Sequence, residues 1–495
     1  MVGAPYITMK HSAFLKSAAV ISFGGLIAKG IGALYRIPLG NVLGGYGMGL
    51  YQMTYPFFCL LLTFSSAGIP SAFSRIIARE TARGQAHSGT LKAALKMFAL
   101  LGLCGSILMC AFAPYMSALQ GDKGLVGCYL ALAPSVFLVA LIAVYRGYFQ
   151  GRNDMAPTAV SEIVEQVIKA AAGLCFAYRF SNDPARAVVW TLFAVTLSEL
   201  AALIFLLMRY SRVRERRTLI ARRTTGSEIL FSALPVMAAV AVLPISQMAD
   251  SVILVRLLAK HTASAVALYG LYTGGAVALV NLPATVCYGF VAAAVPAVSR
   301  ACAQGDTEEG RRRALAALAF TVLLSAPCAF ALFFFTRPVA ALIFPSLPPE
   351  DMAVLVRLTK LSAVSAVTIA SVDTLAACLA GLGLAKRAAF SMLVAVGAKL
   401  CLQFVLVSSP AFSVEGAAIA SNACYLVAFC LDLFYTVKET RKAGERVHDN
   451  DHRTGDGEGR LDGARENGAA GGGQGALAHR DAPLGRKLKR GGDLI

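Results

Sequence analysis

Charge is what this chain has least of. Asp, Glu, Lys and Arg together make up 15% of its 495 residues, against about 25% in a soluble globular domain. A water-soluble enzyme of this make-up would have too few charges to cover its surface, so that class is excluded. Catalytic signatures are missing too. The sequence has no H-E-x-x-H, no Walker phosphate loop and no G-x-S-x-G, so metalloprotease, nucleotide-driven and serine-hydrolase chemistry find no support. Its twelve cysteines contain no C-x-x-C pair. Most stand singly inside apolar runs, where cysteine acts as a small apolar residue, so neither a disulfide framework nor a zinc site follows. No metal and no cofactor is implied.

Apolar residues take the place of charge, at 57% of the chain, and mean hydropathy is +0.64. A spanning helix needs about 20 mainly apolar residues. Twelve segments qualify, near 12–39, 48–70, 90–114, 124–149, 157–180, 186–210, 229–258, 264–298, 312–336, 351–382, 388–409 and 413–437. The first carries Lys29 and Arg36 inside a long apolar stretch and reads as a retained helix, not a signal peptide. The expected fold is an all-α polytopic membrane protein.

The net charge of +18 is explained by where the cations sit. With the N-terminus inside, the connections on that side hold 25 Lys and Arg and the opposite connections hold six. Basic loops stay cytoplasmic, so both termini are expected there and no nucleic-acid partner is needed. The densest loop divides the chain into an N-terminal six-helix bundle (1–210), a basic linker (211–226) and a C-terminal six-helix bundle (227–437). The tail (438–495) has no aromatic residue, is rich in glycine and scattered charge and ends in a basic cluster at 486–490; it is expected to be disordered and cytoplasmic.

The halves carry matching marks. Arg36 and Arg75 bracket 38 uncharged residues that end Pro70-Ser-Ala-Phe-Ser-Arg75. Lys260 and Arg300 bracket 39, ending Pro296-Ala-Val-Ser-Arg300. Gly151 and Lys169 are 18 apart, as are Gly381 and Lys399. A duplication in one orientation follows, the parallel-repeat plan of many transporters, with the substrate site between the halves.

Charges within the spans are the functional candidates, because each is costly in a bilayer. Gly25, Lys29, Gly32 and Arg36 follow the spacing i, i+4, i+7, i+11, which puts both cations on one helix face. Arg36 reads either as a snorkelling anchor or as a second cavity cation. Glu162, Glu165 and Lys169 stack on helix 5 as a self-neutralised cluster or a binding site. Asp250 is a candidate proton or cation site, Arg256 a candidate substrate ligand, and Asp373 a further cavity charge. Pro235, Pro244 and Pro283 are expected to break helices 7 and 8.

Three stretches carry a resemblance. They are Gly24-Gly-Leu-Ile-Ala-Lys29-Gly-Ile-Gly-Ala-Leu-Tyr35-Arg36-Ile-Pro38, Leu43-Gly-Gly-Tyr-Gly-Met-Gly-Leu-Tyr51-Gln-Met, and Ser65-Ser-Ala-Gly-Ile-Pro70-Ser-Ala-Phe-Ser-Arg75. Together they resemble the stage V sporulation protein B group of polysaccharide-biosynthesis exporters, in the multidrug/oligosaccharidyl-lipid/polysaccharide exporter superfamily. The resemblance implies two six-helix bundles rocking about a central cavity in a bacterial inner membrane. It also implies a flippase, not an enzyme, that moves an undecaprenyl-linked glycan or peptidoglycan precursor such as lipid II. Lys29, Arg36 and Arg256 would bind the substrate, while Asp250, Glu165, Lys169 and Asp373 would couple a proton or sodium ion or tune the cavity's charge. Lipid II flippases have fourteen helices and a basic residue in helix 8; this chain has twelve expected spans and no charge in its eighth. Lipid-linked glycans as a class are therefore implied more strongly than lipid II itself. The alternatives are a cation- or proton-coupled multidrug exporter of the same superfamily, or a non-transporting scaffold for cell-wall or spore assembly.

Overall fold

Without water to satisfy the backbone, an apolar chain of this length resolves into helices whose hydrogen bonds are internal. The computed structural model describes residues 5–66, 68–83, 87–213, 226–304, 307–409 and 411–462, so most of the basic linker and residues 463–495 lie outside the described residues. The N-terminal half holds α1 (Pro5–Ser66), α2 (Ile69–Ala82), α3 (Ser88–Gln120), α4 (Leu125–Gly151), α5 (Ala156–Arg179) and α6 (Pro184–Ser211). After the linker come α7 (Gly226–Leu258), α8 (Ala265–Gly270), a π-helical turn (Leu271–Ala276), α9 (Val277–Val280) and α10 (Leu282–Ala303). The chain continues through α11 (Thr307–Phe334), α12 (Thr336–Ile343), α13 (Pro349–Ser362), α14 (Ser365–Gly381), α15 (Ala385–Val407) and α16 (Glu415–Asp462).

Each of the twelve expected segments falls on helix, with three differences. The first two share α1, which turns at Gly44, where φ is +62°; glycine adopts this left-handed conformation at no steric cost. Helix 8 is broken as expected, by the π-helical turn and the step at Asn281, but α7 runs on through Pro235 and Pro244. The tenth segment is α13 and α14, bent by 49°. Among the described residues eight helices are long and apolar enough to cross a membrane, or nine counting that bent pair. Helix α5 is not one of them, because every stretch of it long enough to span contains Glu162, Glu165 and Lys169.

Residues Met1–Thr440 form one compact unit, and the segment after them a second. In the latter the backbone stays helical to Asp462, beyond where the apolar pattern ends. Large apolar side chains such as Phe23, Leu323 and Leu342 point outward, as a lipid-facing surface requires. Inside, the main core draws on both halves, packing Tyr35, Leu50 and Tyr129 with Leu254, Tyr269 and Leu355. Gln120 is buried at the join. It donates to Met53 O and Ser251 Oγ, both at 3.0 Å, and accepts from Tyr129 Oη at 2.6 Å.

The glycines that mark the expected repeat both end helices at close contacts. A Cβ on Gly151, at the end of α4, would sit 2.7 Å from Ser74 O on α2. One on Gly381, at the end of α14, would sit 3.1 Å from Ser299 Oγ on α10. Ser74 and Ser299 each precede the arginine, Arg75 or Arg300, that closes the uncharged run of its half.

Candidate functional site

Helices α1 and α5 meet along a seam of small residues. A Cβ on Gly24 would come within 2.5 Å of Ala159 Cβ, and one on Gly173 within 2.3 Å of Tyr35 Oη, so larger residues would force the helices apart. This close approach sets the charged stripe of α1 opposite that of α5. Between them opens a cavity of about 780 Å³, walled by α1, α4 and α5 on one side and by Gly274, Asn281 and Thr285 of the second half on the other. Its size suits a substantial ligand.

Lys29, Arg36, Glu165 and Lys169, read as candidates from the sequence, all line this cavity. So do Arg146 and Glu162, making four cations against two carboxylates. Arg146 donates to Glu165 Oε2 at 3.0 Å and to Ser161 Oγ at 3.0 Å. Lys169 interacts electrostatically with Glu165, with Glu199 buried on α6, and with Arg36. Asp373, on α14, lies close enough to Lys29 for their charges to interact across the halves.

Two candidates lie elsewhere. Asp250 pairs with Lys399 of α15, and its second carboxylate oxygen, Oδ1, is buried without a hydrogen-bond partner among the described residues. Arg256 donates from Nε to Leu119 O at 2.7 Å, where it satisfies a carbonyl at the C-terminal end of α3. Neither lines the cavity, and Asp373, though near Lys29, does not line it either.

Sequence reasoning missed two participants. Arg146 stands near the end of an apolar run, where a cation reads as part of the basic connection, yet it sits within α4. Tyr35 lines the cavity at 4% exposure, and its hydroxyl has no hydrogen-bond partner among the described residues. An unsatisfied buried hydroxyl costs about 1–3 kcal/mol, so Tyr35 offers a donor to whatever fills the space. Its position next to Arg36 was the only signal available.

Comparison with known proteins places this geometry. The family model described as "Polysaccharide biosynthesis protein" matches residues 14–302. Stage V sporulation protein B of Bacillus subtilis (strain 168) is 27% identical over 426 residues, covering 83% of this chain and 81% of that protein. The lipid II flippase MurJ of the same organism is 26% identical over 169 residues, 32% of this chain and 31% of MurJ. Among solved structures, a multidrug resistance MATE family transporter of the MOP superfamily in its inward-facing conformation superposes with a TM-score of 0.70 at 15% identity, covering 87% of this chain and 98% of that one. The fold is that of these transporters, and the chain is a multi-pass membrane protein belonging to the polysaccharide biosynthesis protein family.

Proposed function

We propose that this chain flips an undecaprenyl-linked oligosaccharide or peptidoglycan precursor across the bacterial inner membrane by alternating access. One observation carries the reading: a cavity walled by both halves and holding a surplus of two positive charges, four cations against two carboxylates. A pyrophosphate head matches that surplus, and Lys29, Arg36 and Lys169 would hold it as charge-assisted donors, with the Tyr35 hydroxyl as a neutral one. The polyprenyl tail stays in lipid. Arg146 is engaged by Glu165 and shapes the pocket by fixing that carboxylate.

With the N-terminus inside, Arg146 and Glu162 lie toward the cytoplasmic ends of α4 and α5, which would bring that end of the cavity toward the compartment where precursors are made. At the other end the halves close on each other, because α8 packs backbone to backbone against α1 at Gly45, Gly49 and Gly270. Rocking the halves apart there and together at the inner end would release the head outside. An inside-negative potential assists an anion in that direction by about 2.3 kcal/mol per charge per 100 mV. Lys29 and Asp373 would rejoin once the anion has left. The same surplus repels cationic drugs, so glycan export is favoured over multidrug export.

The test is complementation. In cells whose own lipid II flippase can be shut off, this chain should restore externally accessible lipid II, and Lys29→Ala should not despite normal membrane insertion. No restoration of lipid II or of any other polyprenyl-linked glycan, with well-inserted protein, would refute the reading.

A further inference from the structure

Part of the cavity wall offers acceptors instead of cations. On α5, Gln166 donates its amide N–H to Glu165 Oε1 at 3.1 Å. A carboxylate only accepts, so this bond turns the amide oxygen of Gln166 away from it. That oxygen faces α1, where a Cβ on Gly32 would come within 3.1 Å. One turn earlier, Oε2 of Glu162 faces Gly25, with 3.9 Å to a Cβ placed there. Both side chains line the cavity. Among the described residues neither Gln166 Oε1 nor Glu162 receives a hydrogen bond, whereas Glu165 beside them is taken up by Arg146 and Gln166.

These acceptors stand opposite the two glycines of the helix face that carries Lys29 and Arg36, where a side chain on Gly32 would crowd Gln166, and both border the cavity. Glu162 stands seven residues, about 10 Å along the helix, from Lys169, with Gln166 between them, so the lane runs from an acceptor at one end to an anion-holding cation at the other. A ligand that fills both ends carries an anionic group at one and hydrogen-bond donors at the other. A cationic donor is disfavoured by the four cations around it, which leaves neutral hydroxyl and amide N–H groups. We infer that Glu162 and Gln166 form a sugar-reading subsite, accepting hydrogen bonds from the hydroxyl and amide N–H groups of the sugar next to the pyrophosphate. The inference rests on the proposed function and gives its cavity a specificity for the glycan as well as for the charge.

Binding to the purified full-length protein in nanodiscs tests it with two probes: undecaprenyl pyrophosphate, and the same lipid carrying one N-acetylglucosamine. Wild-type protein should bind the glycosylated lipid at least tenfold more tightly, since a hydrogen bond is worth about three- to tenfold and more when its acceptor is charged. Glu162→Ala and Gln166→Ala should each remove about tenfold of that gain and leave the sugar-free lipid within twofold. Glu162→Gln, which keeps an acceptor oxygen, should retain part of it, and Lys29→Ala should weaken both lipids alike. Loss of affinity for both lipids in Glu162→Ala, or no loss for either, would overturn the subsite, as would a wild-type protein indifferent to the sugar. Should Gln166→Ala fail to elute as a monodisperse protein, Glu162→Ala decides the matter alone. A wild-type protein that does not bind even the sugar-free lipid would contradict the proposed function itself.

Discussion

At the scale of single residues, the account rests on charges held where charges are expensive. Lys29 faces the cavity with a cross-half carboxylate, Asp373, near it, so replacing it removes a cation from the cavity wall. Lys29→Ala and Arg36→Ala should each lower affinity for a polyprenyl pyrophosphate by about tenfold or more, the value of a charge-assisted hydrogen bond, which a binding titration checks. Arg146 behaves differently. Its loss leaves Glu165 largely buried with one partner fewer, so Arg146→Ala should destabilise the protein by about 2 kcal/mol. Arg146→Ala with Glu165→Gln should recover part of that in thermal melting, because the stranded charge is gone. Four of the seven candidate site residues line one cavity, since charges inside apolar spans at helical spacing share a face. Asp250 could not be connected to Lys399, 149 residues away, because nothing local links them. Arg256 looked like a ligand only because its partner, the carbonyl of Leu119, is a backbone atom that no side-chain pattern reveals.

At the scale of elements, the informative positions are breaks and close approaches. A Cβ on Gly270 would lie 2.0 Å from Gly45 O and 2.4 Å from Gly49 N, both backbone atoms with no rotamer to move aside. Gly270→Ala should therefore hold α8 away from α1 and leave the cavity open at that end. In a background without native cysteines, Tyr55→Cys should then react faster with an impermeant maleimide added from outside, and transport should fall; unchanged labelling with normal transport would show that this contact does not close the cavity. The spans themselves were legible, because about 20 apolar residues are needed wherever a helix crosses lipid. Their internal geometry was not. The turn at Gly44 follows from one residue's φ, and the π-helical turn at Leu271–Ala276 reflects packing against α1 and α13 that no propensity encodes. Pro235 and Pro244 marked breaks that α7 does not make, since prolines in membrane helices are accommodated when neighbours re-satisfy the freed backbone groups.

At the scale of the whole molecule, two related halves enclose one cationic cavity. The charged landmarks pointed to a duplication, and at those landmarks Gly151 packs on Ser74 and Gly381 on Ser299. What the landmarks could not tell is that the cavity's cations come from the first half while the second supplies mostly neutral wall. That asymmetry assigns head-group recognition to one half and leaves the other free to move against it. It predicts that polyprenyl pyrophosphate binding should survive Asp250→Asn with Lys399→Met, a neutral pair outside the cavity, even where turnover slows. The most direct measurement is translocation itself. The purified protein is reconstituted in liposomes with a fluorescent undecaprenyl-pyrophosphate glycan, and dithionite quenching from outside reports how fast label crosses. Wild-type protein should expose the inner-leaflet label within minutes, while the variant carrying both Lys29→Ala and Arg36→Ala should match protein-free liposomes. Equal crossing by both proteins, or none by either in well-sealed liposomes, would contradict a cationic cavity that carries the glycan's pyrophosphate.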